Sequence, residues 1–392
     1  MKILYLTYYW FPHASGGTWS TYEIASNLAQ KHKVYLLAPN VKYNPPLVFD
    51  YPEKKLNLSF VRVPSFPLPS KIALILSGVL LFLEGLKHKN VDVILSQYHP
   101  HHLVSFAAII LSKFLKKKVA VRADDIYRDI FGIMERKNPI IRAVLLIQEK
   151  VTIRFSDLFF IVCDDLVKDL QDRHRSMSEK IGKSPNGINT SILDEAKKMV
   201  SEINEIFEQY KNRIIIVYIG LINPEYGLDK LVKAIKILID QFPNILLLML
   251  GDGKEFGKIS ELVKEMQLEE YVKMLGFVTR KKAMLYLAGA NIGIGPLLPT
   301  RALPLKVLEY FYFKKPVLVG EGSLSSELGI DGYNCLIAEP KMENLAEATR
   351  ELITNKDLRK KLGENAYNTV LDYRWESVAK SLEKHLSSLI KR

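Results

Sequence analysis

Short apolar strand patterns alternate with helical stretches along this chain, and the alternation begins twice. In the first half, strand patterns stand at residues 2–7, 34–38, 59–63, 91–96, 119–122 and 158–162, with helical stretches such as 19–31 and 103–115 between them. The pattern restarts at 213–220 and recurs at 245–250, 272–275, 292–294, 317–319 and 334–337. Alternation of this kind gives parallel sheets covered by helices. At 392 residues the chain is long for a single core, so two doubly wound domains are expected. They would span residues 1–190 and 211–372, joined by the polar, helical stretch 191–210. Ligands of such sheets bind at the carboxyl ends of the strands. Two sheets facing each other would place the site in a cleft between them.

The stretch with the most chemistry is Pro304-Leu-Lys-Val-Leu-Glu309. A proline opens a short helix, and Lys306 and Glu309 sit three apart on one face of it. The helix N-terminus offers amide N–H groups and the positive end of a dipole, which suit a phosphate. Lys306 adds a point charge for the same phosphate, and Glu309 can accept hydrogen bonds from a ribose diol. The other reading of this stretch is a solvated amphipathic helix. Near the first strand, Gly16-Gly17 precede a helix and let backbone N–H groups approach a phosphate; a plain flexible loop is the alternative.

The net charge of +12 is uneven, with residues 1–190 carrying +10 of it. Contributors include Lys113, Lys116, Lys117, Lys118, Arg122, Arg136, Lys137 and Arg142. An anionic membrane suits such a face; a merely solvated basic surface is the other reading. Nucleic acid is not expected, since no zinc-finger or RNP-type motif accompanies the charge. The apolar run 72–86, flanked by Lys71, Lys87, His88 and Lys89, is shorter than the roughly 20 residues a spanning helix needs. It reads either as a core helix or as one lying at a membrane interface. Two cysteines far apart, Cys163 and Cys335, form neither a disulfide framework nor a zinc spacing, which fits a reducing cytoplasm. The first residues form a strand pattern rather than a signal peptide. There is no GxGxxG after the first strand, no Walker A sequence, no GxSxG elbow and no HExxH.

Taken with Ser184-Pro-Asn-Gly187, Gly220-Leu-Ile-Asn-Pro-Glu-Tyr-Gly227, Leu250-Gly-Asp-Gly253, Leu275-Gly-Phe277 and Tyr373-Arg-Trp375-Glu, these features resemble the retaining GT-B glycosyltransferases called "glycosyl transferases group 1". The resemblance spans nearly the whole chain. It implies two Rossmann-like domains, an N-terminal one for the acceptor and a C-terminal one for a UDP- or GDP-type nucleotide-sugar donor. It also implies a final helix, residues 373–392, that packs back on the first domain. Phe277 would lie beside the base and Glu309 would hold the ribose. Leu305 and Lys306 would face the diphosphate with Gly220, and Gly16 and Gly17 would approach it from the other domain. Phe277 otherwise reads as a core aromatic.

The sequence departs from the family pattern at three places. Leu221 and Tyr226 stand where an arginine and a lysine commonly bind the diphosphate. Arg301 replaces the first of two glutamates, and Arg301 with Lys306 could restore the missing charge. In the first half, Asp124 in Val119-Ala-Val-Arg-Ala-Asp124 matches a position where the family often has histidine, and it could bind a sugar hydroxyl or stabilise oxocarbenium character. His99, in Gln97-Tyr-His-Pro-His-His102, would line the acceptor site; the three histidines do not make a metal site, because His101 and His102 cannot share a face. No metal or cofactor is expected. The implied reaction moves a sugar to a hydroxyl with retention, on a carbohydrate or lipid-linked acceptor near a membrane. A GT-B epimerase and a catalytically silent binding protein are the alternatives.

Overall fold

The computed structural model describes residues 1–8, 16–39, 57–63, 70–99, 103–124, 139–299 and 303–391. It divides into two compact units: Met1–Gly187 together with Trp375–Arg392, and Ile188–Arg374.

Among the described residues the first unit has seven strands: β1 (Lys2–Leu6), β2 (Lys33–Pro39), β3 (Leu58–Val63), β4 (Val93–Tyr98), β5 (Lys118–Ala123), β6 (Leu158–Ile161) and β7 (Ile181–Lys183). They form one parallel sheet in the order β3-β2-β1-β4-β5-β6-β7. Its helices are α1 (Gly16–Leu28), α2 (Ser70–Gly85), α3 (Val104–Leu115), α4 (Pro139–Phe155) and α5 (Asp164–Arg173). The side chains of β4 are buried throughout, as a central parallel strand covered on both faces requires. Sheet order reverses between β1 and β4, and such a reversal opens a crevice at the strand ends.

The second unit begins with α6 (Thr190–Lys198) and α7 (Val200–Glu208). Residues 191–210, expected to link two domains, thus belong to this unit. The Phe207 ring sets them there: it lies 6.0 Å from the Tyr286 ring and fills the space above Gly289, where a Cβ would come within 2.2 Å of it. The sheet contains β8 (Ile214–Ile219), β9 (Ile245–Leu250), β10 (Val272–Gly276), β11 (Ile292–Ile294), β12 (Val317–Gly320) and β13 (Leu336–Ala338). All pairs are parallel, in the order β10-β9-β8-β11-β12-β13. The order reverses between β8 and β11.

Around this sheet run α8 (Leu228–Leu238), α9 (Phe256–Glu265), α10 (Arg280–Gly289), α11 (Leu305–Tyr312), α12 (Met342–Thr354) and α13 (Lys356–Val370). In α8 the spacing of Leu228, Leu231, Val232, Ile235 and Leu238 puts them on one stripe, and all five are buried. Each such side chain contributes about 1.5–3 kcal/mol on burial. Asn189, Thr279 and Asn355 cap α6, α10 and α13 by accepting from amides three residues on.

The chain returns to the first unit as α14 (Trp375–Lys391), whose Val378, Leu382, Leu386 and Leu389 are buried. His385 meets Phe160 edge-on at 5.3 Å, and the Trp375 ring closes over Gly187, where a Cβ would come within 2.9 Å of it.

Candidate functional site

At the carboxyl edge of the second sheet, three loops are tied to one another through their backbones. The Gly220 amide donates to the Leu250 carbonyl at 2.9 Å, Gly251 to Gly276 at 2.8 Å, and Ile222 to Asp252 at 3.0 Å. The approach is so close that a Cβ on Gly251 would lie 1.8 Å from the Gly220 carbonyl oxygen. Gly220 has φ +141° and Gly251 φ +144°, backbone that side chains rarely adopt. The glycines of Gly251-Asp-Gly253 are therefore needed to stack one loop on the next.

Lys306 enters this edge from α11. Its Nζ would lie 2.6 Å from a Cβ at Gly220, so the glycine leaves room for the ammonium. The same Nζ donates to the Tyr218 hydroxyl at 2.9 Å, and the Tyr218 hydroxyl donates to the Leu221 carbonyl at 2.5 Å. Lys306 lies over the Tyr218 and Tyr226 rings, 4.1 and 4.4 Å from their centroids, a cation–π arrangement. Tyr226, which stands where the family commonly has lysine, thus serves as a platform for the lysine of α11. Burial pushes Lys306 down to about 7, against the pull of Glu309 and Glu225.

Leu305 begins α11 and is half-buried. With Lys306 it supplies amides that have no carbonyl a turn earlier in the helix to bond. Pro304 precedes them in extended conformation, which suits a proline at a helix start. One turn on, Glu309 is buried, and Arg280 donates to its Oε1 at 2.6 Å. Tyr310 anchors the helix by accepting from the Ile219 amide, the last of β8, at 2.8 Å. Phe277 follows β10 and is 45% exposed, so it is not the core aromatic its composition suggested. The structure therefore brings Gly220, Lys306 and Glu309 together at the edge near the β8–β11 reversal. Arg301 lies outside the described residues.

The first unit gathers its own polar group. Asp124 directly follows β5, and Arg122 and Gln97 both donate to its carboxylate. Ser20, in the first turns of α1, has its Oγ 3.2 and 3.3 Å from the two Asp124 oxygens and 3.1 Å from the Gly17 carbonyl. Gly16 and Gly17 thus open a helix that meets Asp124. Arg122, counted with the basic surface from sequence, is fully buried. It donates to Ser184 Oγ at 3.2 Å, Asn186 Oδ1 at 2.9 Å and the Pro185 carbonyl at 3.2 Å, which gives Ser184-Pro-Asn a structural reason. His99 follows β4, and its carbonyl accepts from Gln148 at 3.4 Å. His101, His102, Arg136 and Lys137 lie outside the described residues.

The family profile "Glycosyltransferase Family 4" matches residues 14–192, and the profile "Glycosyl transferases group 1" matches residues 200–369. Together the two glycosyltransferase profiles span most of the chain, one over each half. An uncharacterized glycosyltransferase of Methanocaldococcus jannaschii is 21% identical over the whole of this chain and 99% of its own length. A second one from that organism is 28% identical over 46% of this chain and 55% of its own. Anabaena HepE, solved in complex with UDP, superposes with a TM-score of 0.76 at 17% identity, covering 99% of this chain and all of HepE; it has also been solved with UDP-glucose. The chain thus has the GT-B fold, two Rossmann-like parallel-sheet units, and its profile matches and named relatives make it a glycosyltransferase enzyme.

Sequence reasoning singled out Lys306 and Glu309 but not Arg280 and Tyr218, which contact them. Arg280 begins the basic run Arg280-Lys-Lys, which reads as a solvated helix start. Tyr218 sits inside an apolar strand.

Proposed function

We propose that this enzyme moves a sugar from a UDP- or GDP-type nucleotide-sugar donor to a hydroxyl, with retention of anomeric configuration. The observation that carries the reading is the meeting of Lys306, Glu309 and the α11 N-terminus at the carboxyl edge of the second sheet. In this reading Glu309 accepts from the ribose diol, the exposed ring of Phe277 stacks on the base, and Lys306 with the α11 amides faces the diphosphate. Charge builds on the leaving diphosphate as the sugar departs, so a cation and a helix dipole aimed there lower the barrier. The departing phosphate then takes the acceptor proton, and Asp124 serves the reacting sugar or the acceptor from the first unit. The solved complexes of Anabaena HepE with UDP and UDP-glucose support a donor of this class.

The acceptor in this reading is lipid-linked or close to an anionic membrane. Its support is the basic excess of residues 1–190 and a set of exposed apolar side chains on three helices of that unit. Leu83 on α2, Phe114 on α3, and Ile140, Val144 and Ile147 on α4 are all exposed, Ile140 by 73%. No helix among the described residues is long and apolar enough to cross a membrane.

The test is a panel of UDP- and GDP-sugars screened by thermal shift, then assayed for transfer with NMR of the product anomer. A donor at a hundredfold over its Kd should add roughly 2.7 kcal/mol of stability, and the product should keep the donor's anomeric configuration. No stabilisation by any nucleotide sugar would sink the proposal, and an inverted product would remove the retaining mechanism.

A further inference from the structure

We propose that Arg280 is a specificity-determining residue of the donor site: the ribose diol is read by the Arg280–Glu309 pair and not by a lone carboxylate. The inference rests on the reading of Glu309 as the ribose-binding group.

The argument starts from the demand of a buried carboxylate for a partner. Glu309 has 8% of its side chain exposed, and a carboxylate so placed is costly unless paired and hydrogen-bonded. The cation nearest in sequence is Lys306, three residues earlier on the same helix. Its Nζ is engaged with the Tyr218 hydroxyl and lies over two tyrosine rings. Arg280, from a different helix, meets Glu309 directly at 2.6 Å.

Helix stability does not explain an arginine at position 280. It is the first residue of α10, the end whose dipole disfavours a cation, and Thr279 already caps that end through the Lys282 amide. The geometry does explain it. The ion pair engages Oε1, whereas a carboxylate has two oxygens and about four acceptor positions. One ribose hydroxyl can donate to Glu309 while the oxygen of its neighbour accepts from the guanidinium, a planar fork with five N–H donors. Arg280 keeps 23% of its side chain exposed. Phe277, three residues before it and exposed, would stack the base of the same nucleotide. One short segment, from the end of β10 to the start of α10, would then contact both base and ribose.

A diol read by two polar partners should be distinguished sharply from a sugar lacking one hydroxyl, because the missing group leaves buried polar atoms unpaired. The measurement is calorimetric titration with UDP, GDP and their 2′-deoxy counterparts on the full chain, followed by Arg280→Gln and Arg280→Lys. The parent should prefer the ribonucleotide by about tenfold or more, which is about 1.4 kcal/mol. Arg280→Gln should collapse that ratio toward one, mainly by weakening the ribonucleotide. Arg280→Lys, which keeps the charge and loses the fork, should restore it only in part. The ratio is insensitive to a general loss of folded protein, since both nucleotides would suffer equally. Equal weakening of ribo and deoxy forms in Arg280→Gln, or an unchanged ratio, would overturn the inference. If the parent binds no nucleoside diphosphate at all, the proposed function fails, a distinguishable result.

Discussion

Lys306 is the residue on which charge at the carboxyl edge of the second sheet turns. Its ordinary value of 10.5 is pushed down to about 7, first by burial. A diphosphate favours the ammonium, so binding above pH 7 must draw a proton onto this lysine. Affinity for a nucleotide sugar, whose phosphates are ionised throughout, should therefore fall as pH rises from 7 to 9. Titrations in buffers of differing ionisation enthalpy should show proton uptake. PH-independent affinity across that window would mean that the lysine is charged throughout. Linkage in the unliganded protein has the opposite sign. The unfolded chain binds more protons between the folded value and 10.5, so this lysine adds stability as pH rises through that range. At this scale the sequence singles out residues whose type suggests a role, as at Lys306 and Glu309. It was not legible where the role comes from a partner far along the chain. Arg280 meets Glu309 29 residues on, and Arg122 meets Asn186 64 residues on. Arg122 counted as surface charge until the fold enclosed it.

At the scale of elements, the strands that carry the site were readable because central parallel strands are apolar on both faces. The runs 213–220 and 245–250 became β8 and β9 within a residue or two. The missed strand, β7, has only Ile181-Gly-Lys, follows a 3-10 turn and pairs with β6 alone. So short an edge strand has no pattern to read. The loops above β8 and β9 are the element on which this carboxyl edge depends most. A Cβ on Gly251 meets the Gly220 carbonyl at 1.8 Å, at a φ of +144°. Gly251→Ala should lose about 1–3 kcal/mol from backbone strain alone. It should also lower nucleotide affinity by displacing Gly220 from the Lys306 ammonium. Denaturant unfolding and titration check the two parts separately, and parental values in both would show that the loops yield easily. The Phe277 ring marks the limit of element-level reading. Its place just after β10 was evident, but its exposure depended on where that strand ended.

For the molecule as a whole, the order of motifs along the chain made the family legible although no single motif was specific. The distribution of charge made the first 190 residues stand out. What the sequence left open was which apolar positions face outward. In α2, Leu81 is buried while Val79 and Leu83 are exposed, and Gly85 packs against Leu111 of α3, so this helix is part core and part surface. With Phe114, Ile140 and Ile147 exposed on α3 and α4, the unit should bind vesicles of anionic lipid. Each basic residue near such a surface contributes about 1 kcal/mol, screened beyond a Debye length. Co-sedimentation should be strong at low salt, fade at high salt, and vanish with neutral vesicles. Absence of binding at low salt would favour an acceptor free in solution.

The central claim is that the second unit holds a nucleotide sugar through Glu309, and one comparison tests it most directly. The nucleotide sugar that best stabilises the protein is titrated calorimetrically into the parent and into Glu309→Ala, with circular dichroism confirming that both are folded. A charge-assisted contact between a buried carboxylate and a diol is worth roughly 1.5–3 kcal/mol, so the variant should bind more weakly by about tenfold to a hundredfold. Unchanged affinity in a folded Glu309→Ala would contradict the account and place the donor elsewhere.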